Sequence, residues 1–139
     1  MDDPFDLERF VEAQAPVYER VRSELREGRK RSHWMWFVFP QIEGLGSSAM
    51  ARRFAIASRE EARAYLAHPV LGARLIECTR LVNRVEGKSV SQILGSPDDM
   101  KFRSSMTLFA QTAPENRDFA DALEKFFGGE PDPLTIERL

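Results

Sequence analysis

An all-α fold, a compact bundle of roughly six to eight helices in a single domain over residues 1–139, follows from three observations on this sequence. Apolar residues recur at three- and four-residue steps almost from end to end. Serines, asparagine-like caps, prolines and glycines stand where helices start and stop. Only residues 33–39 alternate with the period of a strand.

The first two elements come from Leu7, Phe10 and Val11, then Val17, Tyr18, Val21 and Leu25. Pro16 interrupts them, because it lacks an amide donor and pushes Ala15 out of the α region. The spacing predicts two helices at an angle, the second ending at Gly28. Between Ser32 and Pro40, a short strand or a two-turn helix capped by Ser32 and stopped by Pro40 both fit. The helix is preferred, since a lone strand has no partner here. Ser58 with Glu61 predicts a capping box opening a helix to Ala67. His68-Pro69 ends it, His68 reading as a surface or capping residue, and Pro69 is read as the first-turn proline of the next helix. That helix carries Leu71, Leu75, Cys78, Val82 and Val85 on one stripe.

Ser89 and Gln92 form a second capping box before a turn closed by Gly95. Ser96-Pro97-Asp98-Asp99 combines a cap, a proline and two acids at the positive end of a helix, which presents Phe102, Ser105, Met106 and Phe109 on one face. Pro114 is read as opening the last long helix, with Phe119, Ala122, Leu123, Phe126 and Phe127 on its stripe and Gly128-Gly129 at its end. Asp132-Pro133 starts a final short turn. The expected core joins Phe10, Trp36, Leu75, Val82, Met106, Phe109 and Leu123.

A chain of 139 residues can bury a core without disulfide or metal support. With 42% hydrophobic and 30% charged residues it is neither disordered nor membrane-embedded in composition. Its longest apolar run, Trp34 to Phe39, falls far short of the ~20 residues a membrane span needs. The acidic start MDDPFDLERF lacks the character of a signal peptide. Cys78 is the only cysteine, so no internal disulfide forms and a cytoplasmic location is expected. His33 and His68 belong to no ligand-spaced motif, so no metal site is expected, and the sequence leaves any cofactor unknown.

Charge is uneven. From Gly28 to Arg53, Arg29, Lys30, Arg31, Arg52 and Arg53 face one acid, Glu43, while both ends of the chain are acidic. A basic middle attracts a small anion or neutralises itself within the fold. Arg52 and Arg53 are read as pairing with Glu60 and Glu61.

Two segments concentrate the chemistry. RKRSHWMWFVFPQIEGLG, residues 29–46, holds both tryptophans and one of the two histidines. Trp34 and Trp36 offer faces for stacking a ring, Lys30 offers a cation, and His33 is the residue type suited to proton transfer. Gln41 presents a carboxamide, and Gly44 and Gly46 let backbone amides approach an anion. The competing reading makes the aromatics the middle of the core. In KFRSSMTLF, residues 101–109, Lys101 and Ser104 share a helix face. A serine–lysine nucleophile pair would need an oxyanion hole, and no such motif accompanies it. Lys30, His33, Trp34, Trp36, Gln41, Lys101 and Ser104 are therefore the candidate ligand contacts, the ligand an anion such as a nucleotide or phosphorylated metabolite. The alternative is a non-catalytic interaction or scaffold domain. Nucleic-acid binding is disfavoured by the short basic patch and the net charge of -2. Whether the chain is an enzyme is not legible.

DPFDLERFVEAQ, GRKRSHWMWFVFPQIEGLG, EARAYLAHPVLGARL and KFRSSMTLF together resemble a bacterial domain-of-unknown-function family often labelled "calpastatin", with SHWMWFVFPQ as the specific signature. The resemblance spans nearly the whole chain and implies a compact all-α fold, with no catalytic residues to carry over. Calpain inhibitors of the calpastatin kind are disordered polar repeats, whereas this chain has caps, apolar stripes and no repeat.

Overall fold

The periodic apolar positions become ten helices among the described residues, 3–139, of the computed structural model. In chain order they are α1 (Glu8–Gln14), α2 (Tyr18–Glu27), α3 (Met35–Val38), α4 (Ala49–Arg53) and α5 (Arg59–Ala67). There follow α6 (Leu71–Asn83), α7 (Val90–Leu94), α8 (Asp98–Thr112), α9 (Arg117–Phe127) and α10 (Pro133–Glu137). The expected six to eight is thus too few. The element with no counterpart in the sequence reading is α4, five residues long, while α7 and α10, read as short turns, are also five-residue helices, too short for a helical period to register. Side-chain caps on Ser48, Ser89 and Asp132 define the starts of α4, α7 and α10.

The segment 33–39 is helical, but for one turn rather than two. Ser32 does not cap it; its hydroxyl donates to Glu24 Oε2 at 2.6 Å, and Trp34 occupies the N-cap position without a side-chain bond. Other helix starts also shift. Pro69 and Pro114 precede α6 and α9 rather than opening them, because acceptors beside them satisfy the first amides. His68 Nδ1 accepts from the amides of Val70 and Leu71 at 3.1 and 3.2 Å, and Asn116 Oδ1 accepts from Asp118 at 2.9 Å. Pro97 takes the N-cap position of α8, which has no side-chain cap. The box at Ser89 and Gln92 is complete. The one at Ser58 is half made, since Glu61 turns its carboxylate to the Ala57 amide at 2.9 Å and to Arg9.

Arg9 is the clasp of the N-terminal region. Its guanidinium donates to the carbonyls of Phe5, Asp6, Arg53 and Ala55 and to Glu61 Oε2, tying α1 to the segment between α4 and α5. The expected pairs of Arg52 and Arg53 with Glu60 and Glu61 do not form among the described residues. Arg52 donates to the Ser47 carbonyl, and Arg53 lies over the Phe54 ring at 5.1 Å.

The two longest helices, α6 and α8, make the centre, and α5 and α9 each pack against both. Gly72 permits the tight α5–α6 turn, for a Cβ there would run into the Leu66 carbonyl. One hydrophobic cluster gathers the apolar stripes. Within it an aromatic chain runs from Phe10 to Tyr65, edge-on at 5.1 Å, then to Phe109 at 5.5 Å and Phe119 at 5.7 Å, linking α1, α5, α8 and α9. Six of the seven expected core residues are buried; Trp36 is not. It is half-buried on the outer side of α3, and its neighbour Trp34, 1% exposed, fills the core instead. In a single turn the two indoles point to opposite sides, so only one can face inward.

Candidate functional site

The chain from Pro40 to Ser48 has little helix of its own, and one parallel bridge holds it in place. The Ile56 amide donates to the Gln41 carbonyl at 2.9 Å, and the Glu43 amide donates to the Ile56 carbonyl at 2.8 Å. Ile42 and Ile56 are buried by this pairing, which leaves Gln41 half-buried with its carboxamide unpartnered among the described residues. Gln41 stands at the junction of two adjoining clefts. The outer, of about 420 Å³, runs between this loop and the first turns of α8 and α10, and includes Leu45, Met100, Lys101, Ser104, Asp132 and Leu134. The inner, of about 150 Å³, is bounded by Trp36, Ile42, Gly44, Ala51, Arg52 and Phe54 among others. Gln41, Gly46 and Ala51 belong to both.

Four sequence-predicted residues, Trp36, Gln41, Lys101 and Ser104, therefore meet around one groove although they span 69 positions of the chain. Lys101 links the two clefts, its Nζ 5.2 Å from the Trp36 ring centroid and 3.6 Å from Asp98 Oδ1. Ser104 is no nucleophile paired with that lysine. Its hydroxyl donates to Asp132 Oδ2 at 3.0 Å and contacts the Met100 carbonyl at 3.2 Å.

The other three are placed elsewhere. Lys30, 7% exposed at its side chain, pairs with Asp98 Oδ2 at 2.9 Å, donates to the Ser32 carbonyl and sits 5.1 Å from the Trp34 ring. Trp34 is interior. His33 is exposed and lines neither cleft. Even so, Lys30 and Lys101 lie on the same side of the molecule, one on each oxygen of Asp98.

Three contributors were not singled out from sequence. Asp132 is 8% exposed and caps α10: its Oδ2 accepts from Ser104, the Thr135 hydroxyl at 2.6 Å and the Thr135 amide at 3.2 Å. Its Oδ1 has no partner among the described residues, and Asp132 lines the outer cleft. The Asp-Pro helix start was visible; the meeting with Ser104, 28 residues away, was not. Met100 and Leu134 are 50% and 56% exposed, and both stand on the outer cleft. They broke no periodic stripe and so carried no signal.

Glu24 organises the basic loop. Burial alone raises its carboxyl, but donors from the Ser32 hydroxyl, the Arg31 and Ser32 amides and the Trp34 indole outweigh that, and the net shift is downward. Cys78 is buried and its thiol is pushed up to about 12, chiefly by burial, so it carries no nucleophilic role at neutral pH. Tyr18, hydrogen-bonded to Glu77, and Tyr65 are both raised, first by burial. Among the described residues no three His, Cys, Asp or Glu side chains gather as a metal site, and no helix is long and apolar enough to cross a membrane.

The fold and groove define an all-helical protein with a mixed polar and apolar surface cleft. The chain belongs to the family described as protein of unknown function DUF1810, whose model matches residues 4–139. It is similar, at 60% identity and a TM-score of 0.97, to the crystal structure of the conserved hypothetical protein Rv1873 from Mycobacterium tuberculosis, over 99% of this chain and 98% of that one. Comparison with curated proteins gives no match.

Proposed function

We propose that the groove between the 40–48 loop and the first turns of α8 and α10 binds a small anionic metabolite. One observation carries this reading: Lys101, the open oxygen of Asp132 and the free carboxamide of Gln41 converge on a groove whose rim leaves Met100 and Leu134 half exposed. Few convergent polar groups set in apolar walls are the usual make-up of a small-molecule site. Lys101 is the cation for the ligand, since Lys30 is committed to Asp98 in the interior and His33 lies off the groove. Asp132 accepts a hydrogen bond from a hydroxyl or amine on the same ligand.

A thermal-shift screen of sugar phosphates, nucleotides and small carboxylates tests this. Stabilisation of the wild type by at least one anion is expected, and it should vanish in Lys101→Met, whose own melting temperature stays close to the parent's. No stabilisation across the screen refutes the reading.

The exposed apolar side chains of Met100 and Leu134 at the outer cleft support a second reading, a protein-interaction surface on α8 and α10. Pull-down or cross-linking abolished by Met100→Asp and Leu134→Asp, with no metabolite bound, would favour it.

A further inference from the structure

Given that the groove is a metabolite site, the inner cleft narrows the ligand's chemistry further. We infer that the ligand is a nucleotide with a single-ring base, the ring seated in the inner cleft and the phosphate in the outer one. Size comes first. A cavity of roughly 150 Å³ accommodates one benzene-sized ring, and the inner cleft measures about 150 Å³. A two-ring purine, larger by a fused five-membered ring, fits it less well.

The walls fit a flat ring with a polar edge. Trp36, Phe54, Ile42 and Ala51 supply apolar and aromatic surface, with Trp36 left half exposed for stacking. Gln41 offers a donor and an acceptor side by side on the carboxamide, the complement of a pyrimidine's amide-like edge. The floor has no room for a side chain at Gly46. Gly46 already approaches Ala51 so nearly that a Cβ on it would stand 2.6 Å from the Ala51 Cβ. Gly46, Gln41 and Ala51 border both clefts, so a ring held inside directs its substituent outward. That substituent meets Asp132, whose Oδ1 suits a sugar hydroxyl, and Lys101, whose ammonium suits a phosphate.

The test is titration of uridine 5′-monophosphate, adenosine 5′-monophosphate and ribose 5-phosphate, followed by the two indole N–H resonances in ¹H–¹⁵N spectra. Trp34, held to Glu24, serves as the internal reference for Trp36. Uridine monophosphate is expected to move Trp36 and leave Trp34, and to bind about tenfold or more tighter than ribose 5-phosphate, since stacking on an aromatic side chain contributes on that order. Adenosine monophosphate should bind more weakly than uridine monophosphate. Ala51→Leu, which crowds the inner cleft where it meets the outer one, should weaken uridine monophosphate more than ribose 5-phosphate and so close the gap between them. Equal binding of ribose 5-phosphate and uridine monophosphate overturns the ring assignment and leaves the anion site standing. Adenosine monophosphate binding as tightly as uridine monophosphate overturns the size argument in the same way. If none of the three binds, this inference falls, and the groove reading falls with it when the wider anion screen is blank as well.

Discussion

The indole N–H of Trp34 donates to Glu24 Oε1 at 2.9 Å, across ten residues of sequence. The same oxygen accepts from the amides of Arg31 and Ser32, and Oε2 takes the Ser32 hydroxyl. One carboxylate on α2 thereby folds the basic loop and seats an aromatic core residue. Of the loop's three cations only Lys30 buries its side chain, against Asp98, while Arg29 and Arg31 stay exposed with Arg31 beside Glu27.

Removing Glu24 should cost more than its size implies. Glu24→Gln keeps an acceptor for the amides but loses charge assistance, and about 1.5–3 kcal/mol of stability is expected to go. Glu24→Ala leaves buried donors unmet and should cost more still. Denaturant unfolding of the two variants checks the order; an alanine variant as stable as the glutamine one would contradict it.

The same carboxylate predicts an acid dependence. Its folded-state value is lowered from the ordinary 4.5, so its contribution is complete above 4.5 and is lost as pH falls through the lower folded value. The stability gap between wild type and Glu24→Gln should be constant from pH 7 to 5 and shrink below 4.5. A gap that persists unchanged at pH 3 rules this out.

The two tryptophans should separate cleanly. Trp34→Ala, at an interior position, is expected to cost ~3–5 kcal/mol. Trp36→Ala, half-exposed at the cleft, should cost about 1 kcal/mol. Unfolding midpoints that fall in the reverse order would return Trp36 to the core.

Lys30 and Lys101 share Asp98 but differ in depth. Lys30→Met leaves Asp98 with one distant partner and should lower stability by about 2–3 kcal/mol, somewhat under the cost of breaking a fully buried pair. Lys101→Met, at a more exposed pair 3.6 Å long, should cost at most about 1 kcal/mol. A double-mutant cycle with Asp98→Asn checks both; equal coupling for the two lysines would contradict the geometry.

Cys78 should be silent until the chain opens. With its thiol pushed up to about 12 and no exposed surface, native protein is expected to react with a thiol reagent only at the rate of unfolding. Rapid labelling of the folded protein would show that α6 opens locally.

Sequence by itself determined the helical class, the stripes that build the core and most helix ends, because each depends on neighbours within about four residues. Phe102, Ser105, Met106 and Phe109 share a buried face as their spacing required, and Gly28 and Gly128 end α2 and α9 in the left-handed conformation. It also marked Trp36, Gln41, Lys101 and Ser104 as chemically loaded, but not as neighbours. Only the tertiary structure decided which indole faces inward, which of the two lysines on Asp98 buries its side chain, and that Asp132 meets Ser104 beside the Gln41 loop. These are contacts between segments far apart in the chain, set by how α3, α8 and α10 pack and by the Ile42–Ile56 bridge. Periodicity along one helix carries no information about which residue of another helix will stand opposite it.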